Sequence, residues 1–201
     1  MHRMISRLSG LVMAAFTLGW LAIGVTEAVQ KPLKEQTTYP SFIAPPATLN
    51  ETVLSTDLVL LGRVVGSIQR DRPHPGNHGV WIRTGHRVKV LEVFRGPSGH
   101  DLSDQEITVV QSGGDRDRGG HIERLSAHGF PQLATGKEYV LFLTNSGEDW
   151  GPAYGPDAVF ERSGDRVLPF GKSQTSTRQA TQSWTEFLTV LRNSGIQRGG
   201  N

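Results

Sequence analysis

TDLVLLGRVVGSI, residues 56–68, alternates as a β-strand does, with successive side chains directed to opposite faces. Leu58, Leu60, Gly62, Val64, Gly66 and Ile68 share one face. Asp57, Val59, Leu61, Arg63, Val65 and Ser67 share the other, which is apolar only in its first half. That pattern fits the wall of a small barrel whose even-numbered face is interior and whose outer face is covered at Val59 and Leu61. Two glycines on the interior face suit a tightly coiled strand. In a buried helix each would cost about 1 kcal/mol relative to alanine.

The neighbouring segments extend the same reading. RVKVLEVFR, residues 87–95, is a second strand in which strict alternation turns Glu92 inward between Val90 and Phe94. A β-bulge near Leu91 and Glu92 is expected to shift the phase, bring Leu91 or Val93 inward and release Glu92. Gly96-Pro97-Ser98-Gly99 is turn chemistry, and residues 106–111 follow as a third strand with Ile107 and Val109 on one face. YVLFL, residues 139–143, is a short unbroken apolar run, hence a strand buried on both faces. Residues 150–154 read as a turn. Residues 158–162 and 166–168 flank Ser163-Gly164-Asp165 as a closing hairpin, with Pro169 limiting its last strand to an edge.

The ends of the chain differ in character. Arg3 and Arg7, an uncharged apolar run over 8–25 and Thr26-Glu27-Ala28 make residues 1–28 a secretory signal peptide with cleavage between Ala28 and Val29. Retention as an N-terminal single-pass anchor, with the domain outside, is the alternative, because the run reaches the ~18 residues of a spanning helix. Residues 29–47, with Pro32, Pro40, Pro45 and Pro46, read as an extended spacer ahead of a barrel domain over 48–170. A helical turn or two is expected over 48–55. Residues 171–182 read as a flexible connector. Ser183 and Glu186 then form a capping box for an amphipathic C-terminal helix, with Gly195 placed to end it. Trp184, Phe187, Leu188 and Leu191 fall on one stripe of that helix, which is expected to cover Val59 and Leu61.

Composition narrows the function classes. Glycine supplies 24 of 201 residues without a period, against an ordinary share of about 7%, as in a turn-rich β protein. The 21 Lys and Arg against 19 Asp and Glu give +2, and loss of residues 1–28 lowers this by one charge. So even a balance exerts no broad pull on nucleic acid or anionic lipid. There is no cysteine, so an exported domain must be stable without disulfides.

Two long polar connections, 69–85 and 112–136, carry the candidate ligand-binding surface, since barrel rims commonly hold ligands. The first displays Arg70, His74, His78, Trp81 and Arg83. His74 and His78 have the spacing of helical metal ligands, but Pro75 and Gly76 between them oppose a helix. In the second, Asp115 and Asp117 lack the remainder of a calcium loop, and Gly113-Gly114 lacks a phosphate-loop context. No cofactor or metal site, and no catalytic acid, base and nucleophile grouping, follows from the residues.

TDLVLLGRVVGS (56–67), HRVKVLEVFRGP (86–97), ITVVQSGG (107–114) and LATGKEYVLFL (133–143) together resemble a recurring type of exported bacterial protein. Such proteins are similar to OB-like barrels of the tissue-inhibitor-of-metalloproteinase and netrin-module (NTR-like) kind, here without the cysteines. The similarity covers Leu49 to Pro169. It implies a mainly β fold, an OB-like closed or partly open barrel of five to six strands. It carries over no functional residue, because those inhibitors act through a disulfide-held N-terminal cysteine. The expected function is an exported, non-catalytic binding module whose partner is a protein or polymer of the cell envelope. Membrane contact would come only through residues 8–25 if uncleaved. The alternatives are a metal-assisted hydrolase using His74, His78, His121 or His128, and a single-stranded nucleic-acid binder drawing on the arginines around Trp81. Export and the even charge count against nucleic acid.

Overall fold

The computed structural model describes residues 31–38, 40–73, 80–97, 102–145, 147 and 149–196, with backbone alone for 72, 73, 80, 81, 195 and 196. In chain order these form β1 (Leu33–Thr38), α1 (Leu49–Leu54), β2 (Leu58–Gln69), β3 (Arg72–Pro73), β4 (Val80–Trp81), β5 (Arg83–Arg95) and β6 (Glu106–Ser112). Then come β7 (Gly114–Asp117), β8 (Ile122–Ala127), β9 (Glu138–Asn145), β10 (Trp150–Pro152), a 3₁₀ turn (Gly155–Ala158), β11 (Val159–Ser163), β12 (Arg166–Pro169), α2 (Gln174–Gln179) and α3 (Trp184–Ile196).

The protein is mainly β, and its centre is a closed five-stranded barrel. Strands pair in the ring β10-β6-β5-β2-β9, and β10 pairs back onto β9. Numbered by their order along the chain, the five run first, second, third, fifth, fourth around the ring. All pairings are antiparallel except β10 on β6, where Trp150 sits opposite Val109. Closure removes the unpaired edges that an open sheet would present. Residues 150–154, expected as a turn, supply the strand that closes the ring. Three residues that include a glycine and a proline carry no alternation to read, and their pairing with β6 is non-local. The hairpin expected to close the barrel, β11 and β12, instead extends the sheet outward from β9.

β2 separates two cores over its first half, as its alternation requires. A bulge at Val65 then reverses the phase, so Gly66 and Ile68, expected inside, face outward opposite Arg87 and Gly85, with Ile68 41% exposed. Ser67 turns inward opposite His86. Leu58, Leu60 and Val64 meet Val88, Val90, Val109, Tyr139, Leu141 and Leu143 inside the barrel. Val59 and the partly buried Leu61 face outward against Trp184, Phe187, Leu188 and Leu191 of α3, joined by Leu49 and Val53 of α1. Gly62 is needed where β2 lies against β5: a Cβ there would come within 2.4 Å of Val88 Cγ1. The bulge expected in the second strand is present. Leu61 pairs with Glu92 and Gly62 with Val90, leaving Leu91 unpaired and 38% exposed. The shift turns Val93 toward the barrel core and Phe94 into the outer core. Glu92, released from the interior, accepts from Arg192 of α3 at 2.7 and 2.8 Å.

α1 and α3 each start with a capping box. Thr48 and Glu51 cap α1, and Ser183 and Glu186 cap α3, with Glu186 N–H donating to Ser183 Oγ at 3.2 Å. α3 runs one residue past Gly195. The segment 171–182 is not an open connector, because Ser173 caps α2 within it. Asp157 anchors that cap, accepting from Ser173 N–H at 3.0 Å and from Ser176 Oγ at 2.7 Å. Within the spacer, Leu33–Thr38 pairs parallel with β8 and makes a second sheet, β1-β8-β7. Residues 1–28 and the Ala28–Val29 junction lie outside the described residues. Among the described residues no helix is long and apolar enough to cross a membrane.

Candidate functional site

β2, β5 and β6 meet at one end of the barrel, where Gln69 lies opposite Thr84 and Thr84 opposite Gln111. Both long connections leave from this end. The first contains β3 and β4, in which the backbone of Arg72 pairs with that of Trp81. The second folds into the β7–β8 hairpin and then returns over the barrel mouth, burying Ala127, Phe130 and Leu133 on the interior core. The two are joined by an ion pair, Arg116 Nε to Asp71 Oδ2 at 3.2 Å. The rim is therefore a continuous surface made from both connections.

Inside the mouth the barrel wall changes from apolar to polar. Along β5, Val90 and Val88 are followed on the same face by His86 and Thr84; along β6, Val109 is followed by Gln111. His86 and Gln111 are each 1% exposed. Gln111 holds the returning segment by its backbone, donating to Pro131 O at 3.3 Å and accepting from Leu133 N–H at 2.9 Å. Gln132 donates from Nε2 to Ser112 O at 2.9 Å, so its Oε1 faces His86 Nε2 at 3.1 Å. That arrangement places the imidazole proton on Nε2 and leaves Nδ1 as a bare acceptor. Among the described residues Nδ1 is buried without a hydrogen-bond partner. Burial lowers the His86 pKa from its ordinary 6.5, with the amides of Gln132 and Gln111 opposing the shift, so the ring is neutral at pH 7.

A pocket of about 350 Å³ opens beside this cluster, lined by Gln69, Thr84, His86, Asp115 and Gln132 among others. Gly113 and Gly114 form its sharp edge with φ of +95° and +125°. A Cβ on Gly114 would come within 2.1 Å of Thr84 Oγ1, which donates to Gly113 O at 2.8 Å. Asp115 is bound by Arg124 through two contacts of 2.7 Å, which lower its pKa below the usual aspartate range.

The sequence-expected surface residues divide. Arg70 lies on the outer side of β2 against Gly85, with Nη2 3.9 Å from buried Asp149, and Arg83 opens β5 opposite Ser112. The side chain of Trp81, and all of His74 and His78, lie outside the described residues. The structure thus joins Arg70 and Arg83 on one rim, backbone to backbone, with Arg70 N–H donating to Arg83 O at 2.8 Å. His121 and His128 are apart from the mouth cluster: His121 faces Glu123 at 3.8 Å on the β7–β8 hairpin. Among the described residues no three His, Asp or Glu side chains are grouped to hold a metal ion.

His86, Gln111 and Gln132 were not among the expected residues. Two of them were accessible to periodicity: His86 continues the Val88–Val90 face by one step, and Gln111 continues Ile107–Val109. Gln132, in a stretch without period, was not.

Six buried side-chain polar atoms lack a hydrogen-bond partner among the described residues, and four of them belong to this end of the molecule: Arg70 Nε, Asp71 Oδ1, His86 Nδ1 and Arg116 Nη1. Buried polar atoms are ordinarily paired, so their concentration at one rim marks it as different from the rest of the protein. No protein-family model matches the chain, and no curated protein matches it.

Proposed function

We propose that the protein is an exported, non-catalytic binding module of the OB-like, NTR-related kind, which engages a protein or polymer of the cell envelope through the rim built from 69–85 and 112–136. The single observation that carries this reading is the concentration of unpaired buried polar atoms at Arg70, Asp71, His86 and Arg116, where two long connections converge. Such atoms favour a surface completed by an outside hydrogen-bonding partner or by water. The chemistry at the mouth argues for binding over turnover. His86 is neutral with Nε2 engaged by Gln132, and Thr84 Oγ1 is engaged by Gly113 O. Neither is arranged as a base beside a nucleophile.

Export rests on the signal-like residues 1–28. An N-terminal mass measurement on protein from the producing cell tests it, the expected start being Val29. For the binding surface, crosslinked partners are recovered from envelope fractions with the intact chain and with a chain in which 73–80 is replaced by a two-residue turn. Loss of specific partners is expected with the shortened chain. Retention of the full set would overturn the assignment to this rim.

A further inference from the structure

We propose that His86 is an acid-operated latch on the segment 128–136: the neutral ring lets that segment seal the barrel mouth, and protonation at Nδ1 unseats it. The segment is tied at its ends by backbone bonds, His128 N–H to Thr38 O and Gly136 N–H to Val64 O, each 2.8 Å, and between them by a small number of side chains. Gln111 binds its backbone at Pro131 O and Leu133 N–H, Gln132 ties it to Ser112 O and His86, and Ala134 N–H donates to Tyr139 Oη at 3.0 Å. Phe130 and Leu133 are its buried anchors, each 5% exposed.

A second proton on the imidazole places a charge in a buried site whose neighbours are amides. Nε2–H already donates to Gln132, and Nδ1 is enclosed. The other polar group acting on the ring is the Gln111 amide, whose oxygen is occupied by Leu133 N–H. A protonated Nδ1 either shares that oxygen with Leu133 N–H, weakening the hold on that amide, or remains a buried charge with an unsatisfied donor. Both outcomes weaken the seal, and opening the segment admits water to the ring. Among the described residues the groups around His86 supply no free anion. β2 contributes Ser67 and Gln69, β6 contributes Gln111, and the returning segment contributes Gln132 and Leu133. β7 contributes Asp115, whose carboxylate is bound on both oxygens by Arg124. Burial accordingly holds the His86 pKa below 6.5 in the sealed form.

The open form binds the proton more readily than the sealed form, so opening gains up to about tenfold per pH unit between the two pKa values, as pH falls from 6.5. The measurement is made on the protein without a partner, so the latch and the binding surface fail separately.

The test is amide hydrogen exchange at Leu133 and Ala134 on the full chain, corrected for intrinsic rates, between pH 7.5 and 5. Protection at these amides is expected to fall progressively, and His86→Gln is expected to abolish the fall. His121→Asn and His128→Asn are expected to retain it. Protection of Leu133 that is independent of pH, or that falls equally in His86→Gln, would overturn the latch. Should His86→Gln not fold, nitrogen NMR of the wild-type ring decides. An Nε2–H tautomer at pH 7.5, titrating together with the loss of Leu133 protection, supports the latch. An Nδ1–H tautomer, or ring titration with the segment still protected, overturns it.

Discussion

Gly114 carries two constraints at once, a φ of +125° and a neighbour 2.1 Å from where a Cβ would stand. Gly114→Ala is therefore expected to destabilise by at least about 1–3 kcal/mol from backbone strain, and to displace Thr84 from Gly113 O. Gly120→Ala, with nothing within 4 Å and no positive φ, is expected to stay within about 0.5 kcal/mol. Urea midpoints of the two variants check the contrast. Glu92 illustrates a residue whose environment was only half readable. An acid in an apolar alternation signalled a bulge, and the bulge is there, but its partner Arg192 lies 100 positions away in sequence. Because that pair is partly exposed, a double-mutant cycle on Glu92→Ala and Arg192→Ala is expected to give a coupling below about 1 kcal/mol, despite its bidentate geometry.

Among the secondary-structure elements, α3 has the largest stabilising task. Phe187 is fully buried and packs on Phe160 with ring centroids 5.1 Å apart, while Leu191 is equally enclosed. Phe187→Ala is expected to cost about 3–5 kcal/mol, measured by denaturant unfolding. Ending the chain before Ser183 would bare Val59, Val140, Phe142 and Phe160 together. The expected result is dye-binding, aggregating protein, with sedimentation as the readout. β1 is the opposite case. Its six residues are exposed or nearly so and touch the remainder through one strand pairing. Removing residues 31–38 is expected to lower the melting temperature far less than Phe187→Ala does. α3 was legible because its capping box and apolar stripe lie close together in sequence. β1 and α2 were not, because polar, proline-flanked segments take their structure from the partner they meet.

At the scale of the barrel and its covering layers together, stability is expected to fall with acid in two stages. The first lies below 6.5 and comes from His86, whose depressed value makes the folded state bind fewer protons than the unfolded chain. The second lies below about 4.5, as Glu138 and Asp57 protonate. Arg63 and Arg162 hold Glu138 low, while Asn145 N–H and Thr144 hold Asp57 low. Their stabilisation is present above the unfolded values and is lost as pH falls through the folded ones. Urea midpoints against pH check this, and His86→Gln is expected to remove the first stage alone. The alternation of 58–64, the apolar run of 139–143 and the capping box at Ser183 are local patterns, and by themselves they determined a barrel wall with an inner core and a helix-covered outer core. The bulge at Val65, which reverses the faces of 66–68, was set by the pairing with β5. Tertiary structure alone decided that Trp150–Pro152 closes the ring, that 128–136 folds back over the mouth, and that His86, Gln111 and Gln132 meet beneath it. Those contacts join segments 20 to 46 positions apart. They depend on hydrogen bonds between side chains and distant backbone, which leave no period in the chain.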